Sequence, residues 1–306
     1  MTGQQEATTT RPTSSGVVLA AVSVLWMAGL LWSARATITS GGDPAMEVTS
    51  AAYALPGAVS ASLVAGAAVA IAVLGLVGRG PRTAGATLRL AIATGTGLLL
   101  GLLGATSILT INTNGWVYAV VAGTIAAAAT IGGALGGARV PQVMAAVCWA
   151  AIAVFGVGFV LNILQAPLLT VFGSGTTSAS QTSAARWFSL TQAVLSGIAA
   201  GIVAYASLHR AGRRGDPTDV RWPLYALAGA GPGLLLVLAE GLTRTAGGRV
   251  LQLAGKVSEL ELTVQRMLSG ARINSALVVL FVGAITAIIA LGRTLGPPPD
   301  ERDQVS

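Results

Sequence analysis

The chain has 306 residues, of which 53% are hydrophobic and only 9% are charged, and its mean hydropathy is +0.74. Soluble domains carry roughly 25% charged residues, so this composition excludes an ordinary soluble protein and indicates an integral membrane protein in contact with the lipid bilayer. The net charge of +7 does not indicate nucleic-acid binding, because the basic residues are scattered between apolar runs and form no stripe.

Apolar runs dominate the chain after residues 1–15, a polar, threonine-rich stretch that we predict to be a disordered cytoplasmic tail. Each run can reach the ~20 residues needed to cross ~30 Å of hydrocarbon. They lie at about 17–34, 51–78, 88–111, 116–138, 141–163, 187–208, 222–242 and 273–293. We therefore predict an all-α polytopic membrane protein with eight transmembrane helices.

The two halves of the chain resemble each other. Gly95 to Leu102 reads GTGLLLGL and matches Gly231 to Leu238, GPGLLLVL, at six of eight positions. The offset between matching segments grows along the chain, from 125 in the first pair to 136 at this match and 160 at Gly123 and Gly283. This order fits loop insertions into a duplicated four-span unit, and repeats with an even number of spans are parallel. The predicted repeats are 16–138 and 141–293, related by an axis along the membrane normal.

Eight spans place both termini, including the tail at 294–306, on one side of the membrane. Most arginines of the short loops fall on that side, and by the positive-inside rule it is the cytoplasm. They are Arg79, Arg82, Arg89, Arg139, Arg210, Arg213, Arg214 and Arg221. We therefore predict a multi-pass protein of the plasma (inner) membrane with both termini cytoplasmic.

Residues 244–272 are the exception, because they carry five basic residues yet fall on the opposite side. An apolar seam with helical spacing runs through them at Val250, Leu253, Val257, Leu260, Val264 and Met267. We predict an extracytoplasmic amphipathic helix at about 246–270. It can lie on the lipid interface, dock on another membrane protein through residues 250–267, or pair with a second copy.

The strongest candidate for a binding site is a pair of weak points at matching places in the two halves. Pro232 lies between Gly231 and Gly233, and a proline inside a helix removes a hydrogen bond. Gly95 and Gly97 occupy the corresponding place in the first half. Broken helices at matching positions surround the sites of internally duplicated transporters.

These breaks predict a polar pocket between the repeats, to which Thr94 and Thr96 contribute hydroxyl groups. The alternative is that the glycines only allow close helix packing, and that the hydroxyls bond back to their own helix. The same alternative applies to Ser107, Thr110, Asn112 and Asn114. Five GxxxG spacings also indicate close helix crossings: Gly97/Gly101, Gly132/Gly136, Gly133/Gly137, Gly197/Gly201 and Gly229/Gly233.

Glu240 is the only acidic residue well inside an apolar run, and Arg244 follows at the i,i+4 spacing that allows an ion pair. Ionisable residues inside a membrane are candidates for substrate binding. The competing interpretation places Glu240 at the far interface, because it lies about 27 Å along the helix from Trp222.

No motif for catalysis, nucleotide binding or metal binding occurs in the chain, so we predict neither enzyme activity nor a cofactor. The single cysteine, Cys148, excludes an intrachain disulfide. Two functions remain open. The first is permease-like movement of a small or lipidic substrate between the repeats, and the second is a non-catalytic membrane subunit or scaffold of a cell-envelope complex.

Overall fold

The computed structural model describes residues 14–39, 44–77, 85–111, 116–138, 140–213, 221–248 and 259–294. All regular structure in these residues is α-helical, as predicted. The helices are α1 (Ser14–Thr39), α2 (Pro44–Val77), α3 (Ala86–Leu109), α4 (Trp116–Gly136), α5 (Pro141–Ile163), α6 (Gln165–Val171), α7 (Ser178–Arg213), α8 (Trp222–Thr245) and α9 (Glu259–Gly292).

Eight of the helices in the described residues are long and apolar enough to cross a membrane, and only the seven-residue α6 is too short. The predicted number of candidate spans is therefore confirmed, and the chain is a multi-pass integral membrane protein. The first turns of α5 and α8 carry prolines, where a missing N–H costs no helical hydrogen bond.

Three helices are much longer than the bilayer requires. Helices α2, α7 and α9 have 34, 36 and 34 residues, which corresponds to about 50 Å each against ~30 Å of hydrocarbon. Successive spans alternate in direction, so all three begin at the end of the bundle that lies opposite Ser14 and Thr294. We call this the distal end; it holds the last residues of α1, α3, α5 and α8 and the first residues of α2, α4, α7 and α9.

Helix packing inside the two halves follows one pattern. Helix α4 packs against α2 and α3, as α9 packs against α7 and α8. Among the eight long helices, as far as the structure describes them, every pair that touches within one half has a counterpart that touches within the other.

The contacts between the halves do not show the predicted twofold axis. Helices α1, α2 and α4 touch α5 or α8, whereas the described parts of α7 and α9 touch none of the first four helices. In the predicted repeats α2 corresponds to α7 and α3 corresponds to α8. A twofold axis would therefore turn the contact of α2 with α8 into a contact of α7 with α3. Helices α7 and α3 do not meet in the described residues.

The GxxxG spacings mark helix crossings, as predicted. A Cβ atom added at any of the ten glycines would meet an atom of a neighbouring helix at 3.0 Å or closer. Without a Cβ the two backbones can approach directly, which stabilises helix pairs in lipid through van der Waals contact.

The predicted helix breaks are absent. Helix α8 continues through Pro232, and α3 continues through Gly95 and Gly97. Pro232 is fully buried, and neighbouring helices can hold a proline-containing turn inside a membrane protein. The residues around it are glycine and alanine, so the proline ring has space without ending the helix.

The structure describes only part of the predicted amphipathic helix, because residues 249–258 lie outside the described residues. Residues 259–270 form the first turns of α9 and continue directly into its membrane span. No proline interrupts this stretch, so nothing forces the helix to end before the bilayer. Leu253 and Val257 lie outside the described residues, as does the side chain of Leu260.

Candidate functional site

The glycines of the predicted pocket contact different helices and do not face each other. A Cβ on Gly97 would lie 2.9 Å from the Cα of Gly133 in α4. One on Gly231 would lie 2.7 Å from Val147 Cγ1 in α5, and one on Gly233 would lie 2.6 Å from Leu280 Cα in α9. Helices α3 and α8 do not touch in the described residues. Of the first four helices, α2 and α4 are the ones that contact α8.

The hydroxyl groups of α3 bond largely to their own helix. Thr96 Oγ1 donates to the Ile92 carbonyl at 2.7 Å, and Ser107 Oγ donates to the Gly104 carbonyl at 2.7 Å. Thr94 is half-buried, and a Cβ on Gly95 would meet nothing within 4 Å. Asn112 and Asn114 lie outside the described residues. These contacts favour the packing interpretation of this stretch.

Helices of both halves enclose a small gap beside Pro232. Its volume is about 10 Å³, which is close to the space that a single water needs. Apart from one serine hydroxyl its lining is apolar, and that hydroxyl donates to its own helix. The lining residues are Ser60 and Val64 of α2, Ala151, Val154 and Phe155 of α5, and Pro232, Leu235 and Leu236 of α8.

Glu240 is the centre of a charged cluster between α8 and α9. Its side chain is only 4% exposed. Arg244 Nε donates to Glu240 Oε1 at 3.2 Å, and Ser269 Oγ donates to the same oxygen. Arg272 Nε donates to Glu240 Oε2 at 2.8 Å. Both carboxylate oxygens are therefore bonded, as a buried charge requires. We call Glu240, Arg244, Ser269 and Arg272 the distal cluster.

The sequence predicted the pair of Glu240 and Arg244 but missed Arg272 and Ser269. Small and apolar residues form the buried face of α9 inside the membrane span, and polar residues continue the same face beyond it. Spacing by three and four was the signal for this face: Gln265, Ser269, Arg272, Ala276, Val279, Gly283 and Ala287.

The predicted apolar seam does not cover this buried face. Met267 is 71% exposed and Val264 is half-buried, whereas Gln265 and Ser269 are buried. The physical reason is the carboxylate of Glu240 on α8, which attracts the polar face of α9 and leaves Met267 outside the helix pair.

The charge pattern of α9 indicates the depth of the distal cluster in the membrane. Residues 273–292 of α9 carry no charge and lie between Arg272 and Arg293. Twenty helical residues span about 30 Å, the thickness of the hydrocarbon layer. The position of Arg272 thus favours the interfacial interpretation of Glu240 over a site in the middle of the membrane.

The charges of the distal cluster do not cancel. Two guanidinium groups surround one carboxylate, so the cluster carries one excess positive charge when all three groups are ionised. Arg244 is 46% exposed and Arg272 is 32% exposed, so the cluster is open to its surroundings on the arginine side. The Nη2 atom of Arg272 is buried and has no hydrogen-bond partner.

Two further polar contacts join helices at the distal end. Tyr118 of α4 donates to Glu47 Oε2 of α2 at 2.6 Å. Arg35 Nη1 of α1 donates at 2.7 Å to both the Ser107 carbonyl and Thr110 Oγ1 at the end of α3. At the opposite end, Arg89 donates to the carbonyl of Ala138. The helices are thus joined by glycine and alanine contacts within the membrane and by polar contacts near its surfaces.

The described residues contain no group of three or more histidine, cysteine, aspartate or glutamate side chains that could hold a metal ion. Cys148 is fully buried in α5. Comparisons of the chain with protein-family models, curated proteins and solved structures find no match.

Proposed function

We propose that this protein is a non-catalytic membrane subunit that binds a membrane-protein partner through its distal end. The first turns of α9 are the observation that carries the proposal. Glu259 lies 13 residues before Arg272, so α9 extends about 20 Å beyond the hydrocarbon boundary along its own axis. The headgroup layer is only about 5–7 Å thick on each side, so the helix passes through it.

The continuity of α9 favours a protein partner over the lipid surface. An interfacial helix lies in the plane of the membrane with its apolar face against the acyl chains. The first turns of α9 continue the axis of a membrane span and cannot lie flat without a break. Met267 lies about 7 Å beyond Arg272, at the outer edge of the headgroup layer, and its side chain is 71% exposed, so another protein can cover it there.

A shallow groove along the first turns of α7 adds to the distal surface. Its volume is about 600 Å³. Arg186 and Trp187 are among its lining residues, and both residue types are enriched at protein interfaces.

A permease-like function is the second candidate, and the gap at Pro232 is the observation that favours it. The gap lies where α2 of the first half meets α5 and α8 of the second. Pro232 also has no N–H to bond the carbonyl of Ala228, so one backbone acceptor there lacks its helical donor. A volume of about 10 Å³ holds no more than a water, so a substrate would require these helices to separate.

The packing contacts support a duplicated four-span unit. Gly133 of α4 meets the carbonyl of Ala93, and Gly283 of α9 meets the carbonyl of Gly229. Ala93 and Gly229 differ by 136 positions, the same offset as the matching glycine segments. By this register Gly133 is the counterpart of Gly283, an offset of 150. Gly123, the counterpart expected from sequence, has nothing within 4 Å of an added Cβ.

We further propose that the termini are cytoplasmic, that the distal end faces outward, and that the protein resides in the plasma membrane. Of the described arginines at the distal end, Arg35, Arg244 and Arg272 bond to other helical residues. Arginines held in such contacts are required at their positions by the helix packing, which weakens the apparent conflict with the positive-inside rule.

Site-specific crosslinking tests the proposed partner. A photo-reactive residue at Met267 should yield a discrete protein adduct in cells. The same residue at Ile285, which is 55% exposed on the membrane span of the same helix, should not yield that adduct. Stoichiometric copurification of the crosslinked protein after mild solubilisation would agree with a stable complex. Identical adduct patterns at the two positions would contradict the proposal.

A further inference from the structure

We propose that Arg244 and Arg272 form a binding site for a phosphate-type anion at the distal end. Glu240 holds the two guanidinium groups together, and the exposed side of the arginines receives the anion. The inference is independent of the proposed partner, because it concerns the distal cluster and does not involve Met267.

Charge is the first argument. A carboxylate between two arginines cancels one positive charge and leaves the other. Near the hydrocarbon boundary the surroundings screen an excess charge less than bulk water does, so an additional anion is stabilised there. Without Glu240 the two arginines would repel each other; the carboxylate makes their close approach possible.

Hydrogen-bonding capacity is the second argument. Both arginines bond Glu240 through Nε, and each guanidinium carries four more N–H donors on its two Nη atoms. The buried Nη2 atom of Arg272 has no partner in the structure. Because that atom has no contact with solvent, the anion would be bound by the other Nη atoms of the two partly exposed arginines. Arginine binds phosphate with paired N–H groups, which lysine cannot do.

Depth is the third argument, and it defines the class of ligand. Arg272 is the last charged residue before the twenty uncharged residues of the membrane span, so it lies at the level of lipid headgroups. Arg244 and Arg272 are both partly exposed there. A phosphate group can reach this position as part of a lipid or as a soluble anion.

The test uses purified full-length protein with two probes. Native mass spectrometry measures binding of dioleoylphosphatidylglycerol, with dioleoylphosphatidylcholine as the lipid of no net charge. Thermal unfolding in detergent measures stabilisation by inorganic phosphate against chloride at equal ionic strength. A preference for the phosphatidylglycerol assigns the site to a lipid headgroup, and stabilisation by inorganic phosphate assigns it to a soluble anion.

Arg272→Lys is the decisive variant, because it keeps the charge beside Glu240 and removes the paired N–H groups. We expect affinity for the bound probe to fall about tenfold, since hydrogen bonds to charged groups contribute that much to binding. Arg244→Lys should act in the same direction. Arg266→Gln is the matched control, because Arg266 is exposed on the same helix near the cluster, and its binding should stay within about twofold of wild type.

Glu240→Gln separates a binding site from a structural ion pair. Because the carboxylate holds the two guanidinium groups together, its removal should let them move apart, so binding of the probe should weaken about tenfold and thermal stability should fall. If Arg272→Lys binds both probes as tightly as wild type does, the proposal is overturned, whatever the effect of Glu240→Gln. The distal cluster would then serve only to join α8 and α9.

Discussion

The carboxylate of Glu240 on α8 accepts a 2.8 Å hydrogen bond from Arg272 Nε on α9, a residue 32 positions later in the chain. This bond joins the last two spans at the distal end. Glu240 precedes the connecting residues 249–258 in the chain, and Arg272 follows them. The distal ends of α8 and α9 are therefore fixed together whatever path those connecting residues follow.

The first prediction concerns this ion pair. Arg272→Ala should lower the free energy of unfolding by about 2 kcal/mol, because a buried carboxylate loses one of its two cations while Arg272 is partly exposed. The measurement is thermal or denaturant unfolding in detergent. The double variant Glu240→Leu/Arg272→Met should recover much of the loss, since apolar residues can replace a buried pair. If the double variant lowers the free energy of unfolding by as much as Glu240→Leu and Arg272→Met do in total when made singly, this account is contradicted.

The second prediction compares two glycines of one helix. In Gly97→Ala the new methyl group would collide with the backbone of α4, so the free energy of unfolding should fall by about 1–3 kcal/mol. Gly95→Ala is the matched control, because that position has nothing within 4 Å. There alanine should be neutral or stabilising by about 0.5–1 kcal/mol. Equal effects at the two positions would rule out the described packing of α3 on α4.

The third prediction distinguishes the two candidate functions at Pro232. For a membrane subunit, Pro232→Ala should express well and recover the partner as wild type does, because α8 is already continuous. For a permease that opens at the gap, the same change should abolish transport while expression survives. Partner recovery in cells is the measurement. Loss of the partner from a well-expressed Pro232→Ala protein would count against the subunit proposal.

The fourth prediction concerns orientation. In a Cys148→Ala background, Arg266→Cys should react with an impermeant maleimide in intact cells, because Arg266 is exposed about 9 Å beyond Arg272 at the distal end. Thr294→Cys, exposed at the other end of the same helix, should react only after lysis. Reversed labelling would place the distal end in the cytoplasm.

The sequence alone determined the membrane character, the eight candidate spans and the glycine-marked helix crossings. These properties are local: each span depends on the transfer of about twenty consecutive residues into hydrocarbon, and each crossing depends on the missing Cβ of residues four positions apart. The polar face of α9 could also have been found locally, by following the spacing of Ala276 and Val279 back through Arg272, Ser269 and Gln265.

Only the tertiary structure decided which faces meet. The match between the glycine segments of α3 and α8 suggested that they face each other, but α2 lies opposite Pro232 instead. Arg272 joins Glu240 because α8 and α9 pack side by side, a relation between distant residues that periodicity cannot reveal. The same applies to Met267: its apolar spacing predicted a buried or docked position, and the preference of Glu240 for the polar face of α9 turned it outward. Pairings of this kind depend on contacts between separate helices, and the physical forces that select them act only after the spans are formed.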